Sequence, residues 1–142
     1  MIFGQDRTQL RQPFFTAWQK HIQQQPLEPL EQQIIAVILE HPEYHKMFAA
    51  PENYLNKDYL PEFGETNPFL HMSLHLGVRD QVSTNRPAGI LAIYQQLVQK
   101  TGDVHTAEHN IMEQLIEAML SMQQLPAQMV EENYLEKLKG LL

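Results

Sequence analysis

The chain has 142 residues, the length of one ordinary domain, and we expect a single domain over residues 1–142. Its net charge is −7 with ten basic residues, a balance that argues against binding to nucleic acid or to an anionic membrane surface. It contains no cysteine, which excludes disulfides, thiolate metal sites and thiol nucleophiles.

Neither a membrane span nor a signal peptide is predicted. The most apolar run, Ile34 to Leu39, is too short to cross a bilayer, and the N-terminus lacks a basic segment followed by a long apolar one. We therefore expect a cytoplasmic protein.

Helical periodicity dominates the first part of the chain. Asp6 is predicted to cap a first helix whose buried face recurs every four residues, and Pro13 is expected to delay or kink this helix. That face consists of Leu10, Phe14, Trp18 and Ile22.

A second helix is predicted from Pro29 to about Glu40, with Pro42 interrupting it and a short helix continuing to Met47. Its expected buried residues are Leu30, Ile34, Ile35, Val37 and Ile38.

Residues 50–67 are rich in Pro, Asn and Gly and are predicted to form a long loop. Loops of this length in compact domains often cover a functional site. We expect the rings of Tyr54, Tyr59 and Phe63 to anchor it over one end of a site near His71.

The second half predicts four helices with clear boundaries. Asn67 and Pro68 open one that reaches about Ser83, and residues 85–87 start another that ends at Gly102. Asp103 caps the third, which runs to about Gln124. Pro126 precedes the last helix, whose apolar stripe is Met129, Val130, Leu135 and Leu138. Since no segment alternates with period two, the predicted fold is an all-α bundle of five to seven helices.

Six of the seven histidines form three His-x-x-x-His pairs: His41 with His45, His71 with His75, and His105 with His109. Random placement gives only about 0.3 such pairs. Residues four apart share one face of a helix, so two imidazoles can hold one ion. Pro42 makes the first pair less regular, because it breaks the helix there.

Rotating the helix after Asp103 by about 100° per residue places His105 and His109 inward with Met112, Ile116 and Met119. Glu108 falls in the same apolar arc. Since a lone buried carboxylate is costly, it needs a metal, a proton or a base such as Arg79. Glu113 falls at the polar edge, which makes it a weaker candidate.

These residues predict a metal site of nitrogen and oxygen ligands, which fits iron, zinc, manganese or nickel. His71, His75, His105 and His109 are expected to converge on one point, with Glu108 bound to the metal or beside it. His41 and His45 would complete or double the site. An enzyme on this site would be a metal-dependent hydrolase or an oxygen-using enzyme of the di-iron type, with Glu108 or Glu113 as acid or base. The alternative is a non-catalytic interaction or pH-responsive module with structural histidines.

Five segments of the chain resemble a bacterial family, the domain of unknown function 1841. They are residues 67–76 (NPFLHMSLHL), 86–90 (RPAGI), 105–109 (HTAEH), 27–31 (LEPLE) and 41–45 (HPEYH). Asp6, Arg7, Trp18 and Lys20 fit the same pattern, while Gln114 and Leu120 stand where the family has Cys and Trp. The resemblance covers nearly the whole chain and implies a small helical protein without implying an activity.

Overall fold

The computed structural model describes residues 2–60 and 66–142, with side chains from residue 7 onward. Within these ranges it contains eight α-helices, one 3-10 helix and no strand. The α-helices α1–α8 are Ile2–Ile22, Pro29–Leu39, His45–Phe48, Pro51–Tyr54, Pro68–Thr84, Ile90–Thr101, Val104–Ser121 and Ala127–Lys139, and the 3-10 helix is Pro42–Tyr44.

The all-α prediction is confirmed, and the number of helices exceeds the five to seven predicted. The additional elements are short turns of helix around Pro42 and Pro51, where a proline ends one helical turn and begins the next. No helix in the described ranges is both long enough and apolar enough to cross a membrane.

The chain divides into two compact units, Met1–Ser73 and Leu74–Leu142, with the division inside α5. Each unit is described by itself below. The expectation of a single domain stays a prediction.

In the first unit, α1 packs against α2, and the Lys20 ammonium lies 3.0 Å from the Glu31 carboxylate. Glu31 also accepts a hydrogen bond from the Glu28 backbone N–H at 2.8 Å, so that one side chain caps α2 and ties it to α1. The buried apolar residues include Phe14, Phe15, Ile34, Ile35, Val37, Ile38, Met47, Phe48 and Phe69.

The predicted start of α1 was wrong, and its predicted face was right only in part. The helix begins at Ile2, so Asp6 lies inside it, and it continues through Pro13. Leu10 and Ile22 are 74% and 60% exposed, because a repeat of four drifts about 40° per step from a 3.6-residue turn. Phe14 is buried as predicted and Trp18 is half-buried, and the other buried residues of α1 are Arg11, Phe15 and Ala17.

The predicted face of α2 is confirmed at Ile34, Ile35, Val37 and Ile38, whereas Leu30 in the first turn is exposed.

In the second unit, α7 packs against both α6 and α8 around one apolar core. Its fully buried members include Val78 of α5, Ile90 and Leu97 of α6, Ile111 of α7 and Leu138 of α8. On the predicted stripe of α8, Val130 and Leu138 are buried, but Met129 is exposed and Tyr134 takes its place in the core.

The starts of α5 and α7 and the end of α6 follow the predicted caps. The expected start of α6 at residues 85–87 was wrong, because these residues lie in the turn before the helix, which begins at Ile90. The Asn67 side-chain oxygen accepts hydrogen bonds from the backbone N–H groups of Phe69 and Leu70, and Asp103 accepts one from the Thr106 N–H. Gly102 ends α6 in the left-handed conformation with φ of 72°.

Candidate metal centre

His75 is the buried centre of a polar cluster in the second unit. Its side chain on α5 is fully buried, and its Nδ1 is hydrogen-bonded to Oε1 of Glu108 on α7. The Arg79 Nε, one turn along α5 from His75, donates to both Glu108 oxygens at 3.0 and 3.2 Å. Because a carboxylate only accepts, Nδ1 of His75 carries the proton and its Nε2 is the nitrogen left for another partner.

Glu108 stays ionised in this environment. Burial by itself raises the pKa of its carboxyl group, but the hydrogen bond from His75 and the Arg79 guanidinium outweigh burial and hold the pKa below its ordinary value. The sequence offered a metal and Arg79 as alternative partners for this buried carboxylate. The structure shows that Arg79 is one partner and that His75 is the other.

Nε2 of His109 lies next to Nε2 of His75, which is the nitrogen of His75 that can bind a metal. The Nε2 atoms of the two rings are 3.1 Å apart, and the ring centroids are 4.8 Å apart. Two nitrogen ligands at about 2.1 Å from one ion lie about 3.0 Å apart at a right angle and about 3.4 Å apart at the tetrahedral angle. The 3.1 Å between the two Nε2 atoms therefore falls in the range expected for two ligands of one metal ion.

His105 lies at the exposed side of the same cluster. Its ring is 4.0 Å from that of His109, edge to face, and 5.6 Å from that of His75. The expectation that His105 points inward was wrong, since its side chain is exposed.

The helix rotation explains this error. The five buried residues of α7 are Ala107, Glu108, Ile111, Met112 and Ala118, and their mean direction lies about 100° from His105 on the side of Glu108. Ile116 and Met119, which the helix rotation predicts to be part of the core, are exposed. Glu108 is inward as predicted, and Glu113 is exposed.

His41 and His71 form a second pair, which lies in the first unit. Each offers a ring nitrogen within 4.8 Å of the other's, and their ring centroids are 5.1 Å apart. His41 is buried and stacks on Tyr44, and its Nδ1 donates to the Val37 carbonyl oxygen at 2.8 Å. This bond selects the tautomer in which Nε2 holds the lone pair that a metal requires.

His45 has a different environment from its predicted partner His41. Its Nε2 donates to the Ile38 carbonyl oxygen at 2.9 Å, and its ring lies 4.8 Å from that of Trp18. His41 lies between α2 and the 3-10 helix that begins at Pro42, whereas His45 begins α3, so the two histidines do not share a helical face.

A family model described as a domain of unknown function, DUF1841, matches residues 6–140. The chain belongs to the DUF1841 family. No curated protein and no solved structure matches it.

The two positions at which this DUF1841 chain was expected to depart from its family lie away from the histidines of α7. His105 and His109 occupy the first two turns of the helix, whereas Gln114 is half-buried further along it and Leu120 is exposed near its end.

The structure describes only part of the loop that was predicted over residues 50–67 of this DUF1841 chain. Phe63 lies outside the described residues. Tyr59 is half-buried against Met47 and the Arg11 guanidinium. The tyrosine ring that the structure places near His71 is that of Tyr44, which precedes this loop, with centroids 6.5 Å apart. The placement of this loop over the site stays a prediction.

Tyr94 is a member of the site that the sequence analysis did not place there, and Arg79 was expected there only as a possible partner of Glu108. Together with Val78, Val82, Ser83 and Glu108 they line a cavity of about 140 Å³. Burial raises the pKa of the Tyr94 hydroxyl, and the charge of Glu108 adds to this effect. The sequence does contain a signal for Arg79. It follows His75 by four residues, as His75 follows His71, so the three residues share one face of α5.

Proposed function

We propose that this protein binds a divalent metal ion, with Nε2 of His75 and Nε2 of His109 as ligands. The observation that carries the proposal is the 3.1 Å separation of these two atoms. Glu108 supports it, because a metal-bound imidazole usually donates its other N–H to a carboxylate that fixes the ring. The nitrogen and oxygen donors suit iron, zinc, manganese or nickel.

His71 and His41 are the proposed further ligands. His71 precedes His75 by four residues on α5, the spacing at which two side chains share a helix face. His41 is the neighbour of His71 in the first unit and holds its Nδ1 proton toward a backbone carbonyl. His45, bound to the Ile38 carbonyl, is the weakest of the predicted ligands.

A catalytic role, as a metal-dependent hydrolase or di-iron-type enzyme, needs an open coordination position and a nearby acid or base. Glu108 is engaged by His75 and Arg79, so we assign it to orienting His75. The exposed His105, whose ring touches that of His109, is better placed than Glu113 to exchange protons with a substrate.

The alternative is a non-catalytic or pH-responsive module in which the histidines are structural. The same 3.1 Å separation suits an N–H···N hydrogen bond between His75 and His109. In that case the network of Arg79, Glu108, His75 and His109 stabilises the second unit by itself.

Metal analysis separates these two functions. Purified protein, stripped with a chelator and titrated calorimetrically with Zn²⁺, Fe²⁺, Mn²⁺ and Ni²⁺, is expected to bind at least one of them stoichiometrically. His109→Gln and His75→Ala should each lose this binding. His21→Ala is the matched control, since His21 lies against Trp18 and has no proposed role.

Circular dichroism of each variant shows whether it folds, and His109→Gln guards against a folding defect at the fully buried His75. Stoichiometric binding that survives both substitutions contradicts the proposed ligands. His71→Ala and His41→Ala test the further ligands, and each should weaken binding while His45→Ala leaves it nearly unchanged.

A further inference from the structure

The second unit contains a larger cavity, of about 500 Å³, which the proposed metal site does not use. Its apolar wall is formed by Leu115, Ala118 and Met122 of α7 and by Val130 of α8. A volume of this order is typical of pockets that bind small molecules. Met122 is 62% exposed, so a flexible apolar side chain stands where a ligand could cover it.

One wall of the cavity carries an ordered polar pair. The hydroxyl of Tyr134, a buried residue of α8, donates to Oε1 of Gln81 on α5 at 2.7 Å. The bond occupies the Gln81 oxygen and directs it toward Tyr134, while the amide NH₂ remains a donor at the cavity wall. A few fixed polar groups in an apolar pocket orient a ligand.

Two opposite charges also line this cavity, Arg86 from the segment after α5 and Glu131 from α8. Among the described residues, neither side chain makes an ion pair or a side-chain hydrogen bond, with the other or with a third residue. Both side chains are exposed, so a ligand that carries both signs can reach their charges.

We propose that this cavity binds a small zwitterion with an apolar side group, of the class of the free apolar α-amino acids. The carboxylate of the ligand pairs with Arg86, since guanidinium groups bind carboxylates through two parallel hydrogen bonds. The ammonium pairs with Glu131, and the side group lies against Leu115, Ala118 and Val130. The proposal is independent of the metal site.

Calorimetric and NMR titrations of the full chain test the proposal with three probes. L-leucine carries both charges, N-acetyl-L-leucine lacks the ammonium and L-leucinamide lacks the carboxylate. We expect L-leucine to bind about tenfold more tightly than either analogue, because each analogue leaves one charge of the cavity without a partner. Equal binding of either analogue overturns the zwitterion assignment.

Amino-acid substitutions test whether L-leucine binds in this cavity. Arg86→Gln and Glu131→Gln should each weaken L-leucine binding about tenfold, and Ala127→Phe should block the cavity from an exposed position on its wall. Glu132→Gln is the control, because Glu132 is exposed next to Glu131 on α8 and is bonded to Gln128. Binding that is absent at millimolar L-leucine, or unchanged in all three cavity variants, overturns the proposal.

Discussion

At the scale of single residues, the orientation of His75 decides what the cluster can do. Glu108 accepts the hydrogen bond from the Nδ1–H of His75, and Nε2 of His75 faces Nε2 of His109. An imidazole oriented in this way needs no rearrangement to accept a metal, since its tautomer and its direction are both set beforehand. Arg79 contributes by keeping Glu108 charged.

Glu108→Gln is expected to weaken metal binding about 10- to 100-fold without abolishing it, because it removes a group that orients a ligand and not the ligand itself. Glu113→Gln is the control, being an exposed carboxylate on the same helix. Metal titration measures both variants. The role of Glu108 is contradicted if the two affinities are equal.

Arg11 is a buried arginine of the first unit that contacts several backbone carbonyl oxygens. It is 5% exposed, and its Nη1 lies within hydrogen-bond distance of the carbonyl oxygens of Tyr54, Leu55 and Lys57. Its guanidinium carbon is 4.7 Å from the centre of the Phe69 ring. The residue thus ties α1 to the segment that follows α4.

Arg11→Met is expected to lower the free energy of unfolding by about 2–4 kcal/mol, because it removes the hydrogen bonds that the buried guanidinium donates to these carbonyl oxygens. Arg7→Met, which breaks the ion pair of Arg7 with the exposed Asp58, should cost about 0–1 kcal/mol. Urea denaturation compares the two variants. Similar losses would show that the carbonyl contacts of Arg11 add little.

At the scale of helices, the two glycines Gly77 and Gly102 should respond in opposite ways to alanine. Gly102 has a φ of 72°, which an alanine adopts only with strain, so Gly102→Ala should destabilise by about 1 kcal/mol. Gly77 lies inside α5, and a Cβ there meets only Leu115 at 3.7 Å, an ordinary contact. Gly77→Ala should therefore stabilise by about 0.5–1 kcal/mol. Thermal denaturation measures the change in stability of each variant. The prediction is contradicted if both substitutions stabilise the protein or both destabilise it.

The cap of α7 gives a pH-dependent prediction. Hydrogen bonds from the Thr106 hydroxyl and backbone N–H lower the pKa of Asp103. The ionised cap therefore stabilises the fold above the ordinary Asp pKa of about 3.9, and its contribution is lost as the pH falls through the lower pKa of the folded state.

Asp103→Asn keeps an oxygen that can accept from Thr106 but does not titrate. The wild type should be more stable than this variant at pH 7, and the difference should shrink as the pH approaches 3. Urea denaturation at several pH values measures it. A difference that is constant with pH contradicts the assignment of this titration to Asp103.

At the scale of the whole molecule, the division at Ser73 and Leu74 bears on the single-domain prediction. Trp18 is the only tryptophan and lies in the first unit, so its fluorescence follows that unit, whereas far-UV circular dichroism follows all the helices. If the chain is one cooperative domain, the two signals should change at the same denaturant concentration. Separate midpoints would show two domains.

The sequence by itself determined that the second half is helical and where α5 and α7 begin, and it singled out three residues of the candidate site. Local signals suffice there, because Asn67, Asp103 and Gly102 act on their own neighbouring backbone. The improbable histidine spacing likewise singled out His75 and His109, and the inward position of Glu108 needed only the helix period.

Only the tertiary structure decided which side chains meet. Pattern alone placed His105 inward and paired His41 with His45, whereas His105 is exposed and His41 lies beside His71. The bond between His75 and Glu108 joins residues 33 positions apart. Helical periodicity fixes the angle between neighbours on one helix but carries no information about which helix that face will contact, so these partners follow from packing.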